Sequence, residues 1–242
     1  MSDPAPAQHW TFSRWAWIAL GAVAIYVFVA YGFMGAFDRR EARRADYLEN
    51  QPHLTHTGTG LPGDPLNIAL VGSEEEVIRA LVAAGWRPAN PLSFRSSVRI
   101  VVDTVLDEPD PNAPVSNLYL FGRKEDLAFE KPIGRSPRER HHVRFWRSEI
   151  MDDGRPRWIG AATHDIGVEL SHTTGQVTHR IAPDLDTERA LLLADLTTAN
   201  RASGTRWIDG FHKELQGRNG GGDPWRTDGR LLIVVLPKST PQ

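Results

Sequence analysis

Residues 64–86 read D-P-L-N-I-A-L-V-G-S-E-E-E-V-I-R-A-L-V-A-A-G-W, and this stretch sets the fold class. Leu66 to Val71 is an apolar run bounded by Pro65 and Gly72, the length of one strand. Ser73 stands three residues before Glu76, so each side chain can satisfy the other residue's backbone N–H and open a helix. Val77, Leu81 and Val82 recur at helical spacing through Ala84, and Gly85 is the residue type that ends a helix. The domain is therefore expected to begin with a strand followed by a capped helix.

Working outward toward the C-terminus, Ser93 to Leu106 carries Phe94, Val98, Val101, Val102 and Val105 at helical spacing and is read as a second helix, although its valines would also suit a strand. From Val115 the texture turns to β. Leu118–Phe121 and Leu127–Glu130 are expected to form a hairpin through Arg123–Asp126, with further strands at His142–Arg147, Trp158–Thr163, Gly167–Leu170 and Val177–Ile181. Asp184–Asn200 reads as an amphipathic helix capped by Asp184 or Asp186. Arg206–Phe211 and Leu231–Leu236 close the chain around a glycine-rich loop. Strands joined mainly as hairpins, with about three helices grouped early and late, predict an α+β domain with a mainly antiparallel sheet over residues 64–237, followed by a short tail, 238–242. Such a domain can bury roughly 70% of the surface its unfolded chain exposes.

Toward the N-terminus, a tail of residues 1–14 precedes 15–37, where no Asp, Glu, Lys or Arg occurs. As a helix these positions would extend about 34 Å, enough for a hydrocarbon core about 30 Å thick. Trp10, Trp15 and Trp17 lie at one end and Tyr31, Phe33 and Phe37 at the other, where amphipathic rings favour the headgroup layer. Residues 15–37 are read as a single transmembrane helix, and 38–63 as a juxtamembrane stub and linker. Arg39, Arg40, Arg43 and Arg44 follow the span and only Arg14 precedes it, so the positive-inside bias predicts a cytoplasmic C-terminal domain.

The chain has 28 basic and 30 acidic residues and no cysteine. That balance lacks the basic excess of a nucleic-acid binder, and the absence of cysteine removes disulfides, thiolate metal sites and cysteine nucleophiles. Gly58, Gly60 and Gly63 have G-x-G-x-x-G spacing, but no strand precedes them and Pro62 interrupts them, so they do not read as a dinucleotide site. The densest polar constellation is 135–147, with Arg135, Arg138, Arg140, Arg144 and Arg147 around His141 and His142. Guanidinium forks grip phosphate or carboxylate oxygens at two points, so with Arg123 these arginines suit an anionic ligand. Along a strand, Val143 and Phe145 would point to one face, and His142, Arg144 and Trp146 to the other. Gly220, Gly221 and Gly222 free the backbone for positive φ, so that their N–H groups could converge on an anion. His141 or His142 would serve as a general base, and His164, Asp165 and His172 as ligands to a divalent metal, although their spacing matches no zinc-site signature. No particular cofactor is indicated.

Residues 64–86, V-S-N-L-Y-L-F-G-R-K-E-D-L-A-F-E-K at 115–131, R-H-H-V-R-F-W at 140–146 and D-G-R-L at 228–231 resemble the LssY C-terminal domain family, over about residues 64–237. The family has no established activity. Similar domains follow a lone membrane helix, or are joined to membrane modules resembling acid-phosphatase-type lipid phosphatases and DedA-like proteins. The histidine and aspartate motifs of those phosphatases are missing here. The resemblance implies work on envelope lipids or their phosphorylated headgroups. Three readings follow: a membrane-tethered domain that recognises an anionic, phosphate-bearing ligand, a phosphoester hydrolase using His and Asp with or without a metal, or a scaffold for a membrane protein partner.

Overall fold

The structure, a computed structural model, describes residues 14–28, 53–58, 60–89, 117–134, 139–170 and 177–238. Helix α1 (Arg14–Val27) has 14 residues, and those from Trp17 to Tyr26 are exposed. No described helix is long and apolar enough to cross a membrane. Positions 29–37 of the expected span, residues 38–50 and the helix expected at 93–106 lie outside the described residues.

Among the described residues, two sheets, a two-stranded ribbon and two helices form the domain. Strands β1 (Leu54–Thr57) and β2 (Pro62–Pro65) pair as a hairpin, so the stretch expected to be linker is part of the fold from Leu54 on. Its glycines and prolines occupy the turn and an edge strand, which is where β-structure tolerates them. Next come β3 (Ile68–Val71) and α2 (Glu74–Ala83), with the expected reciprocal cap: Glu76 N–H donates to Ser73 Oγ at 3.2 Å and Ser73 N–H to Glu76 Oε2 at 2.8 Å. Strand β4 (Arg87–Pro88) follows.

The remaining elements are β5 (Leu118–Leu120), β6 (Arg123–Lys124), β7 (Leu127–Pro132), β8 (Arg140–Asp152), β9 (Arg155–Leu170), β10 (Val177–Ile181), α3 (Leu185–Thr198), β11 (Gly204–Ile208), β12 (Gln216–Arg218), β13 (Pro224–Arg226) and β14 (Leu231–Val235). The larger sheet runs β11-β14-β3-β9-β8-β7-β4, with β10 also on β9; among the described strands only β3 and β14 are parallel. The smaller sheet runs β2-β1-β5-β6, and β12 and β13 form a two-stranded ribbon. The hairpin expected at 118–130 is thus corrected. Its turn is Phe121–Gly122, with φ of 53° and 69°, and β7 pairs with β8 in the other sheet. Paired positive φ values are the two-residue turn that suits strand twist. Asp153 and Gly154, at 55° and 73°, make the same turn between β8 and β9.

One face of the large sheet packs α2 and α3 through Ile68, Leu70, Leu81, Phe129, Phe145, Trp158, Leu192 and Val234. The other packs the small sheet through Ala69, Leu118, Leu120, Trp146, Ala161 and Ile233. Each fully buried side chain of this size contributes about 1.5–3 kcal/mol by leaving water. Three of the buried indoles find acceptors: Trp86 on Asp195 Oδ2 at 3.0 Å, Trp158 on the Gly72 carbonyl at 2.9 Å and Trp146 on the Arg123 carbonyl at 3.2 Å.

Buried Asn67, just before β3, replaces ladder bonds with its side chain. It accepts from Ala162 N–H at 2.9 Å and donates to the carbonyls of Ala162 at 2.9 Å and Leu185 at 3.2 Å, joining β9 to the start of α3. An Asn67→Ala substitution strands these groups and is expected to lower unfolding stability by about 3 kcal/mol. Urea unfolding followed by tryptophan fluorescence measures it, and a midpoint equal to wild type would contradict the role given to this amide.

Candidate functional site

Strands β8 and β9 organise the polar residues. Their register sets Arg140 opposite Asp165, His141 opposite His164, His142 opposite Thr163 and Arg144 opposite Ala161. Because successive side chains leave opposite faces, Arg140, His142, Arg144 and Asp165 enter the layer between the sheets, while His141 and His164 face α3. Val143 and Phe145 join the helix-side core, opposite Arg144 and Trp146.

Between the sheets lies a buried charge network. Arg144 donates to Asp64 Oδ2 at 3.2 Å; Arg140 donates to Asp165 Oδ2 at 3.2 Å and to Glu130 Oε2 at 2.8 Å. Two arginines expected to hold an anionic ligand are therefore already matched by carboxylates of the chain. Beside them is a cavity of about 60 Å³ bordered by Thr57, Gly63, Asp64, Arg144, Asp165, Asn219, Gly220 and Gly221. That is room for about two waters. Burial pushes the Asp64 carboxyl above the usual range, opposed by Arg144 and reinforced by Asp165; burial likewise raises Asp165 against the pull of Arg144 and Arg140.

The glycine-rich loop closes this cavity without forming an open anion nest. Asn219 Oδ1 accepts the N–H groups of Gly221 at 3.1 Å and Asp223 at 2.9 Å, and its backbone carbonyl accepts that of Gly222 at 2.9 Å. Gly220 is required by close approach: a Cβ there would stand 2.9 Å from Thr57 Cγ2 and 3.1 Å from the Pro62 carbonyl.

Arg123 and Arg147 lie elsewhere, on a groove of about 490 Å³. Phe121, Ile150, Ile159, Ile208, Phe211 and Leu231 supply its apolar lining; Arg123, Arg147, Ser148, Glu149 and Arg157 supply the polar part. Ile159, Phe211 and Leu231 are buried at its base, whereas Phe121 is 39% and Ile150 49% exposed. Arg123 pairs with Asp126 and lies over the Phe121 ring, 5.8 Å from its centroid. Arg157 donates to Asp152 Oδ2 at 2.7 Å, and Arg206 joins the same carboxylate at 3.0 Å. Burial alone would raise Asp152, but hydrogen bonds from Arg206 and Arg157 hold it below its ordinary value. Among the described residues Arg147 makes no ion pair, which leaves a cation at the groove mouth. Arg135, Arg138 and His172 lie outside the described residues.

On the helix face, His141 Nδ1 is 2.8 Å from Glu188 Oε2 and His164 Nδ1 is 4.0 Å from Glu188 Oε1. His164 and Asp165 leave opposite faces of β9, so the strand does not bring these two members of the metal set expected from sequence together. The two candidate bases part in the same way: His142 is fully buried between the sheets, and His141 meets Glu188. Asp184 caps α3 by accepting from Thr187 N–H at 3.3 Å, and Asp186 ties that turn to Thr227 Oγ1 at 2.9 Å and Asp228 N–H at 2.7 Å. This pinned first turn positions Glu188. Sequence reasoning missed Asp64, Asn219, Glu188 and the apolar groove residues, because their contacts span long separations with no local pattern.

The fold is an α+β domain of two packed sheets with helices on one outer face, and its candidate sites are a charged interior cavity, an amphipathic groove and a His–Glu cluster. The chain belongs to the LssY C-terminus family, whose model matches residues 48–231. No curated protein matches the chain. No solved structure matches it either.

The raised carboxyls give stability a definite pH sign. Between the ordinary value of 3.8 and the raised folded values, the folded chain keeps protons that the unfolded chain releases, so this pair costs more stability as pH rises. Asp64→Asn removes one such group. The thermal midpoint of the variant minus that of wild type is expected to increase from the acid range to neutrality; parallel curves would refute a raised Asp64.

Proposed function

We propose that this domain is held beside the membrane by residues 15–37 and recognises an anionic, phosphate-bearing lipid in the groove between the β8–β9 arm, the β5–β6 turn and β11. The observation that carries this reading is the groove's composition: an apolar trough with, at its mouth, Arg123 and Arg147, the latter without an ion pair among the described residues. Its volume lies in the range of about 300–1,000 Å³ usual for small-molecule sites. A guanidinium without an ion pair retains its capacity for a two-point contact with phosphate, and the trough suits an acyl chain.

Phe121 supports the same reading. Its φ of 53° is uncommon for a bulky residue, and most turns of this type place Asn, Asp or Gly there. The ring stays 39% exposed and stands at the groove mouth beneath Arg123. Strain of this kind persists where function uses the side chain.

Hydrolysis of a phosphoester at Asp64 and Asp165 has one observation in its favour, their raised carboxyls. The adjoining cavity is too small for such a substrate, so binding in the groove is the better supported reading.

Full-length protein in an uncharged detergent, titrated with a fluorescent lysophosphatidate and with its zwitterionic choline counterpart, tests the proposal. Saturable binding of the anionic probe is expected, weakened roughly tenfold or more by Arg147→Glu. Equal affinity for both probes, or no loss in the variant, rejects it. Phe121→Asn is expected to raise stability by about 1 kcal/mol while weakening the same binding. If that variant binds as wild type does, the ring has no part in recognition.

A further inference from the structure

We infer that His141, His164 and Glu188 bind one divalent first-row transition-metal ion on the helix face of the large sheet. This site is separate from the groove and from the cavity between the sheets. The β8–β9 register makes His141 and His164 direct cross-strand neighbours, with ring centroids 5.0 Å apart, and Glu188 reaches them from the pinned first turn of α3. One ligand atom from each of the three lies within 4.8 Å of the other two. Atoms bound at about 2.1 Å to a common tetrahedral ion stand about 3.4 Å apart, so closure of at most about 1.4 Å on the longest separation completes the set.

Two polar groups remain unexplained if this is only a hydrogen-bonded pair. The Glu188 carboxylate is 4% exposed, and among the described residues its only ionic partners are the two imidazoles. A buried carboxylate without a cation is costly. Lys131, the nearby ammonium, is engaged with Asp195 at 2.7 Å. His164 is the second: its Nδ1 is too far from Glu188 for a hydrogen bond, and its Nε2 is buried without a partner among the described residues. A divalent ion supplies the charge that Glu188 lacks and the electrophile that His164 lacks. Trp86 lies beside His141, ring centroids 6.4 Å apart, and shields that flank.

The donor set decides the class of ion. Two imidazoles and one carboxylate suit zinc and its neighbours; calcium and magnesium prefer oxygen ligands throughout. Three protein ligands also leave at least one coordination position for water or another ligand.

The test uses full-length protein carrying a tag without histidine, stripped with EDTA and equilibrated with zinc buffered by a competing chelator. One zinc per chain is expected by elemental analysis, unchanged by excess calcium or magnesium. Glu188→Gln and His164→Ala are each expected to weaken zinc binding at least tenfold. If Glu188→Gln fails to fold by circular dichroism, His164→Ala carries the comparison, because that ring makes no hydrogen bond to lose. Cobalt is expected to give visible absorption bands that His164→Ala alters. Substoichiometric zinc in the wild type, displacement by calcium, or variants that bind zinc as tightly as wild type would each overturn the assignment.

Discussion

The ladder between β8 and β9 is the constraint on which the rest of the molecule depends. From Arg140↔Asp165 to Asp152↔Arg155 it forms the spine of the large sheet, and α3, β3, β7 and β10 are placed against it. Its alternation sorts the R-H-H-V-R-F-W segment into two chemistries. Arg140, His142, Arg144 and Trp146 enter the layer between the sheets; His141, Val143 and Phe145 face the helices. A slip of one residue would exchange these sets, moving guanidinium groups under the apolar side of α3 and Phe145 into the charged interior. Gly160 holds the register locally. A Cβ there would meet the Phe145 ring at 2.5 Å, so a bulkier residue could not lie across from it.

The interior charges show why a cluster of arginines in sequence need not be an anion site. Burying a guanidinium requires a partner and a full set of hydrogen bonds. Arg140 and Arg144 take their ion-pair partners from Asp165, Glu130 and Asp64, residues supplied by three different strands. Asp64 comes from the small sheet, so its pair with Arg144 also ties the two sheets together. Whether two such carboxyls can both stay charged depends on those same arginines, which oppose the effect of burial on each. Arg147, where the ladder leaves the core, makes no such ion pair among the described residues.

Legibility followed the range of the interactions. The reciprocal Ser73–Glu76 cap and the Asp184 cap were readable because each is made within three residues, and the two-face pattern of β8 because alternation is intrinsic to a strand. The β1–β2 hairpin read as linker because its strands are short and rich in Gly and Pro, and only pairing with β5 gives them a place in a sheet. The turn at Phe121 was obscured by a residue that rarely adopts positive φ. By contrast, D-G at 153–154 was a usable signal for joining β8 to β9. Glu188 is 47 residues from His141, and nothing local marks it as that imidazole's partner. Arg123 and Arg147 were legible as cations, but the apolar groove between them is assembled from five separate segments.

The proposed tether changes what the groove must achieve by itself. A single myristoyl chain holds a protein on a bilayer only marginally and reversibly, with an association constant of about 10⁴ M⁻¹, and an acyl chain buried in a groove gains no more than that. Affinity of that order is inadequate for a domain diffusing freely, but attachment converts encounter with the bilayer into an intramolecular event at an effective concentration on the order of millimolar. A groove with one arginine that makes no ion pair among the described residues, two others shared with Asp126 and Asp152, and a partly exposed apolar wall fits this regime. Tighter binding would need more desolvated cations, and each would require a carboxylate partner when the groove is vacant, as Arg140 and Arg144 do in the interior. Weak recognition made sufficient by attachment is therefore consistent with how the arginines of the two regions are placed: Arg140 and Arg144 are ion-paired in the buried interior, and Arg147, where the groove opens, makes no ion pair among the described residues.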